Sequence, residues 1–328
     1  MTTVTTTMRA VVQDSYGDAD LLRRAEIPRP TPGSGEVLLQ VTAAGLDRGA
    51  VHLMTGLPYP IRLAGFGLRR PKNPVRGREV AGRVVVVGDG VPDLRPGDEV
   101  FGIGEGCFAE FTVARADLLV RRPDTLDPTA AAALPISGLT ALQAVRDHAS
   151  VRHGQRVLVL GASGGVGTVA VQLAVAAGAE VTGVCRTSKM DRVRALGAAH
   201  VVDHTTAEPH GEFDVILDIG GNRPLRTLRR LLAPRGRLVI VGGETDGRLL
   251  GGTDRQLRAM AWSPLLRQRL GTFVSSENGA DLAVLRDLAV AGTLRPVVDR
   301  TYPLDGVPDA IRDLVAGRLT GKAVITLE

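Results

Sequence analysis

This sequence is short of most residues that would announce a special environment. It has two cysteines, Cys107 and Cys185, in 328 residues. Two cannot build a disulfide framework or a cysteine cluster for zinc, and the low count suits a reducing cytoplasm. Aromatic residues make up 3%, so the core must be built from Val, Leu and Ala. Lysine occurs only as Lys72, Lys189 and Lys322, and the net charge of +5 is therefore arginine charge scattered among acids. The one tight basic group, Arg69-Arg-Pro-Lys72, is short and lacks interleaved aromatics on which bases could stack. Nucleic acid is not an expected partner. No apolar run reaches the roughly 20 residues needed to span a bilayer. Met1 to Thr7 is polar and reads as a frayed tail, not a signal peptide. The expectation is a cytoplasmic protein with no membrane partner.

What the sequence does have is a glycine turn behind an apolar run. Val157 to Leu160 are four consecutive apolar residues, as a parallel strand covered on both faces requires. Gly161, Gly164, Gly165 and Gly167 follow, with Ala162, Ser163 and Val166 between them. Thr168 to Ala177 then reads as a helix apolar nearly all round, hence buried. Strand, glycine turn and helix are the context of a dinucleotide fingerprint. The glycines let backbone approach a pyrophosphate, and the free N–H groups of the helix start bind its charge. The spacing is Gly-x-x-Gly-x-x-Gly rather than Gly-x-Gly-x-x-Gly, so a tight packing turn is the competing reading.

The end of the next strand, Glu180 to Cys185, bears on which cofactor binds. An NAD-specific fold usually places an acid there, about 20 residues past the first glycine, for the ribose 2′-hydroxyl. This sequence has Arg186-Thr-Ser-Lys189 instead. Arg186 and Lys189 supply positive charge and Ser188 a donor, which suits a 2′-phosphate. NADPH (NADP) is the expected cofactor, against the alternative of ordinary solvated charges at a helix start.

Around this stretch the chain falls into two parts. The first third is β-rich: Met8 to Val12, Gly35 to Thr42, Glu79 to Val87 and Phe108 to Val113 read as strands between Pro/Gly turns. Ala43 to Gly77 reads as a long functional or mobile loop. Ala130 to Val145 has helical spacing, and strands then alternate with helices at 157–160, 181–185, 201–202, 213–218 and 238–241. That rhythm predicts a doubly wound parallel sheet. Gly271 to Ser275 is a possible sixth strand, at an edge suited to pairing across a homodimer. The tail is predicted as helix 280–291, strand 297–302, helix 307–316 and strand 323–327. It would overfill a six-stranded domain and is assigned back to the first. The fold class is α/β, with a β-rich domain (1–128 and 276–328) and a parallel-sheet domain (129–275).

These elements resemble the medium-chain dehydrogenases/reductases, in particular their zinc-free quinone oxidoreductase-like branch. The matching residues are Gly82-x5-Gly88, Pro96-Gly-Asp-Glu-Val100, Ala131-Ala-Ala-Leu134, Gly138-Leu-Thr-Ala141, Gly161 to Gly167 and Gly321-Lys-Ala-Val-Ile325. The resemblance implies a GroES-like catalytic domain split around a Rossmann domain, with the active site in the cleft between them. It also implies NADPH-dependent reduction of quinones, enones or other activated double bonds. A short-chain dehydrogenase is excluded independently. That class needs Tyr with Lys four residues on, and Tyr16, Tyr59 and Tyr302 are followed there by Asp20, Leu63 and Gly306.

Zinc-using relatives carry Cys and His where this sequence has Asp47 and Arg78, so no metal is expected. Asp47 and His52 also depart from the Asn and Tyr of the quinone reductase pattern, and Tyr59 lies one position from a second family Tyr. Hydride transfer to an enone builds negative charge on an oxygen that needs a donor. His52 or Tyr59 is expected to supply it, with Asp47 orienting a neighbour or the cofactor ribose. A structural histidine and an Asp47 salt bridge to Arg48 or Arg78 are the competing readings. The resemblance places Thr140 beside the nicotinamide, His204 beside the 2′-phosphate, and Lys322 near the cofactor phosphates unless it is a plain surface lysine. Ligands lie outside the carboxyl ends of parallel strands, which adds the turns at Gly220 and at Gly242-Gly243. The substrate is expected to be a small molecule. Three functions remain open: a reductase of free enones or quinones, an enoyl or ketone reductase on a carrier-bound or specialised-metabolism intermediate, and a non-catalytic NADPH-binding protein.

Overall fold

The computed structural model describes residues 6–242 and 251–327. The frayed tail expected at the start and the expected contact at Gly243 fall on residues outside those described, apart from Thr6 and Thr7. The chain divides into two compact units. One comprises the residues through Ile136 together with Glu277–Val290 and the stretch from Pro296 on, and the other Ser137–Ser276 with Ala291–Arg295.

In the first unit a seven-stranded sheet runs in the order Val298–Pro303, Lys322–Thr326, Glu36–Leu46, Glu79–Val87, Glu99–Ile103, Leu119–Arg121, with Phe111–Arg115 also paired to Glu36–Leu46. The last strand of the chain, Lys322–Thr326, is antiparallel to Glu36–Leu46, with Ala323 opposite Leu46 and Thr326 opposite Ala43. Thr7–Val12 and Arg23–Pro28 form a separate hairpin pair. The core is aliphatic, as the composition requires, with Phe101 and Phe108 its largest fully buried side chains.

The stretch 43–77 is not one loop. The strand begun at Glu36 runs to Leu46, and Arg48–Thr55 is a helix. Asp47 caps that helix, its Oδ1 accepting from the Ala50 N–H at 2.8 Å. Ala50, Leu53 and Met54 bury one face. Gly56 ends it in the left-handed region, φ +63°. The glycines and prolines that suggested a loop therefore punctuate a short capped helix. Pro135 likewise divides the expected 130–145 helix into Pro128–Ala132 and Pro135–Gln143, since proline cannot donate to the preceding turn. The strand expected at 108–113 is displaced to Phe111–Arg115, because Cys107, Phe108 and Ala109 are buried in the preceding turn.

The second unit holds a six-stranded, wholly parallel sheet. Its order is His200–Asp203, Glu180–Cys185, Arg156–Leu160, Phe213–Asp218, Leu232–Ile240, Arg269–Thr272. Counted in chain order within the unit, this is 3-2-1-4-5-6, the doubly wound arrangement whose order reverses beside strand 1. Val157, Leu158 and Val159 have no exposed surface, which explains the uninterrupted apolar run. No helix among the described residues is long and apolar enough to cross a membrane.

Candidate functional site

In the parallel-sheet unit the carboxyl ends of four strands are joined by backbone hydrogen bonds between their exit turns. Gly161 and Ala162 N–H donate to the Val184 carbonyl at 3.2 and 3.0 Å, and Ile219 and Gly220 N–H to Leu160 at 3.1 and 3.2 Å. Val241 and Gly242 N–H donate to Asp218 at 3.0 and 3.2 Å. Gly161 and Gly220 thus meet at the point where the strand order reverses. Gly161 has φ +81°, which an L side chain rarely adopts. A Cβ on Gly167 would lie 2.1 Å from the Gly161 carbonyl, and one on Gly242 2.2 Å from that of Ile219. At Gly164 a Cβ would meet nothing nearer than 3.6 Å, so the space above that residue is open.

Gly164 is also the N-cap of helix Gly165–Ala176 and carries no side-chain cap. The N–H groups of Gly165, Val166 and Gly167 lie in the first turn, where a helix cannot satisfy its own donors. Bare backbone, open space and a helix N-terminus suit a pyrophosphate. Ser163 is buried in the same turn. Beneath the Gly220 turn, fully buried Asp218 accepts from the Gly221 N–H at 3.1 Å and pairs with buried Arg255. The pattern of apolar strands gave no hint of this brace.

The neighbouring turn carries Arg186 and Ser188, both exposed, and half-buried Lys189. It has an acid after all, from the next strand. Asp203 ends His200–Asp203 in register with Cys185. Its carboxylate accepts from the Thr187 hydroxyl, and from the Thr205 N–H at 2.9 Å and hydroxyl at 2.7 Å. These bonds, the Thr187 hydroxyl foremost, hold its pKa down at about 2. The apolar pair Val201–Val202 marks this strand in the sequence, and the acid stands one residue beyond it. His204 is exposed beside it, its N–H donating to the Cys185 carbonyl at 3.1 Å. Thr140 lies half-buried in helix Pro135–Gln143.

In the β-rich unit, Asp47 is buried as the helix cap and makes no ion pair among those described with Arg78. Arg78 donates to both carboxylate oxygens of Glu277, at 2.6 and 2.8 Å. Burial opposes the Arg78 charge, but this fork raises its pKa above the usual value. His52 stands on the same helix as Asp47. Its Nδ1 is 2.9 Å from the Leu57 carbonyl, so the ring proton sits on Nδ1 and Nε2 is left as an acceptor in the neutral ring. Tyr59 follows two residues after Leu57 and is 39% exposed. The Arg62 guanidinium lies 4.9 Å from its ring and 4.4 Å from that of Tyr16.

Lys322 is no surface lysine. Its ammonium is buried in an ion pair with Glu79, which has no exposed surface and whose Oε1 accepts from the Ile136 N–H at 2.9 Å. Burial raises the Glu79 pKa in spite of the lysine. With its charge matched inside the unit, Lys322 leaves the set of phosphate ligands. Cys107 is buried, its thiol pushed up to about 12 by desolvation, and is inert packing.

Against this geometry the comparisons are consistent. Residues 33–124 match the alcohol dehydrogenase GroES-like domain and residues 196–325 the zinc-binding dehydrogenase domain. The chain is 32% identical to the chloroplastic quinone-oxidoreductase QR1 of Triphysaria versicolor, over 97% of this chain and 98% of that one. The chain belongs to the medium-chain dehydrogenase/reductase superfamily. It is an oxidoreductase of the quinone oxidoreductase-like kind, in a family that binds a nicotinamide cofactor. The quinone oxidoreductase of Coxiella burnetii superposes with a TM-score of 0.84 at 25% identity, covering 98% of this chain and all of that one. The mycobacterial protein Rv1454c, solved with NADPH, superposes with a TM-score of 0.82 at 26% identity, with coverage of 98% and 100%.

The zinc named in the matched domain finds no fitting ligand set here. Asp47 is occupied as a cap, Arg78 is a cation, and Glu79 is neutralised by Lys322. Among the described residues, no group of three or more His, Cys, Asp or Glu could hold a metal ion.

Proposed function

We propose that this protein is a zinc-independent, NADPH-dependent reductase transferring hydride to an activated C=C or C=O bond of a small quinone- or enone-type substrate. The observation that carries the reading is the row of bare glycine turns at the strand-order reversal, flanked by the cations Arg186 and Lys189. Gly161, Ser163, Gly164, Gly165, Val166 and Gly167 would cradle the pyrophosphate, and Arg186, Ser188, Lys189 and His204 the 2′-phosphate. Gly220, Gly242 and Thr140 would flank the rest of the cofactor. When bound, the nicotinamide supplies the hydride.

The chain's own residues then meet the charge that builds on the substrate oxygen. The His52 Nδ1 proton is committed to Leu57, and neutral His52 has no proton on Nε2 to give. Tyr59 carries a hydroxyl that can donate and has the Arg62 cation beside its ring. We assign donation to Tyr59, with His52 bracing the Leu57 segment that carries it. Asp47 fixes the start of the helix on which His52 stands.

Asp203 favours a second reading, NADH, because an acid beside the ribose site suits a free 2′-hydroxyl. Its oxygens are already occupied by Thr187 and Thr205, which supports NADPH. Calorimetry with both cofactors tests the assignment. Arg186→Ala with Lys189→Ala should weaken NADPH by about tenfold or more and leave NADH nearly unchanged. Equal losses for both cofactors would overturn it.

A further inference from the structure

The parallel-sheet unit has a groove of about 440 Å³, lined by Arg226, Arg229, Arg230 and Arg267 over Leu266 and Gln268. Helix Leu225–Leu231 runs into the amino end of strand Leu232–Ile240, and Arg267 stands just before the amino end of Arg269–Thr272. All strands of this sheet are parallel, so the groove lies at the end opposite the glycine turns. Arg226, Arg230 and Arg267 are exposed and Arg229 is half-buried.

No acid lines the groove. Leu225 to Val241 carries five arginines without an aspartate or glutamate, and Ala259 to Ser276 has no acid either. None of the four lining arginines forms an ion pair among the described residues. Exposed arginines elsewhere do, as Arg24 with Asp305, Arg146 with Asp147 and Arg312 with Asp309. Arg226 precedes Arg229 and Arg230 by three and four positions, so the three share a helix face on which like charges cost stability. Capping the helix does not account for them. Its end carbonyls are met by Gln268, whose Nε2 donates to Arg229 at 3.0 Å and to Leu232 at 3.1 Å. The Gln268 Oε1 accepts from Arg229 Nε at 3.2 Å, which fixes that guanidinium 5.8 Å from the Trp262 ring.

We propose that this groove binds the oligophosphate group of a small molecule, a ligand distinct from the nicotinamide cofactor. Four guanidinium groups line one groove from two segments of chain. A carboxylate or a single phosphate leaves most of that charge unmatched, whereas linked phosphates offer each arginine an oxygen pair. The volume is that of a small-molecule site. The arginines gather in one groove instead of tracking along a nucleic-acid backbone. Binding here is independent of the hydride chemistry at the other end of the sheet.

Calorimetry tests this with tripolyphosphate, ATP and sulfate at matched ionic strength. Tripolyphosphate or ATP should bind at least about tenfold more tightly than sulfate. The triple variant Arg226→Gln, Arg230→Gln, Arg267→Gln should lose that preference while melting like the unmodified protein. The stronger of the two ligands then names the source, a nucleotide or an inorganic chain, and either upholds the site. Two further variants locate the binding. Arg69→Gln with Arg70→Gln and Lys72→Gln removes the same charge from another exposed segment and should leave the affinity unchanged; an equal loss there overturns the proposal in favour of general attraction. Loss in Arg186→Ala with Lys189→Ala, but not in the groove variant, places the anion at the cofactor turns and overturns it too. So does affinity no better than that of sulfate, or a single-stranded oligodeoxythymidylate that binds the groove more tightly than either phosphate ligand.

Discussion

Lys322 and Glu79, 243 positions apart in sequence, form an ion pair inside the β-rich unit. The lysine belongs to the last strand and the glutamate to the strand Glu79–Val87, on either side of Glu36–Leu46. There is no room around the pair: a Cβ on Gly45 would lie 2.7 Å from the Glu79 carboxylate and 2.2 Å from the Ala132 carbonyl. Removing one partner takes the counter-ion from a buried charge. Lys322→Met is expected to cost about 3–5 kcal/mol, and the double variant Lys322→Met with Glu79→Leu markedly less than the sum of its singles. Urea unfolding of all three variants measures this. Additive losses would show that the pair does not act as a unit.

The glycine turn makes two opposite forecasts three residues apart. Gly167→Ala forces a methyl against the Gly161 carbonyl and should destabilise the parallel-sheet unit by about 1–3 kcal/mol. Gly164→Ala meets open space and should leave thermal unfolding nearly unchanged while lowering cofactor affinity. Melting curves with and without NADPH separate the two effects.

Tyr59 and His52 should also separate. Loss of a proton donor costs about 10²–10⁴ in rate, so Tyr59→Phe should lower kcat on that scale with an enone substrate. His52→Gln removes a brace and should cost less, raising KM at least as much as it lowers kcat. The reverse ranking would transfer the donor role to His52.

Asp203 sets an acid-side limit. Its folded pKa is depressed to about 2, below the roughly 3.9 of an unfolded chain. Its stabilisation is therefore complete above about pH 4 and lost as the pH falls towards 2. Asp203→Asn should flatten the decline of stability across that window in a pH series of unfolding curves. An unchanged slope would remove Asp203 from the stability balance.

Arg269–Thr272 is the outermost strand of its sheet among the described residues, and Val274 just beyond is 96% exposed. An uncovered strand edge beside an exposed valine favours pairing with a second copy. Light scattering is expected to give a homodimer, and Val274→Lys to shift it towards monomer.

Periodicity and glycine spacing made most of the parallel-sheet unit legible. Buried strands such as Arg156–Leu160 are apolar on both faces, and positive φ at Gly161 admits little but glycine. Long-range polar partners were not legible. Neither the Glu79–Lys322 pair nor the Asp218–Arg255 brace has any local pattern, because each joins elements that meet only through the topology. Arg48–Thr55 was hidden for a different reason: at eight residues it is shorter than the glycine- and proline-rich sequence around it. Its cap, Asp47, stands out in the sequence only as a departure from a family pattern. Asp203 lies one residue past the apolar pair that marks its strand, so its contact with the neighbouring turn has no local signal.

The order of synthesis gives the closing strand a further consequence. A chain emerging from its amino end presents Glu79 long before Lys322 is made, and the whole parallel-sheet unit is translated in between. On the ribosome the first unit has to wait, its sheet lacking a seam and its buried acid lacking a cation. The second unit meanwhile has every strand it needs. Nascent chains halted before residue 322 should thus yield a protease-resistant core from the later unit while the earlier one is still cut.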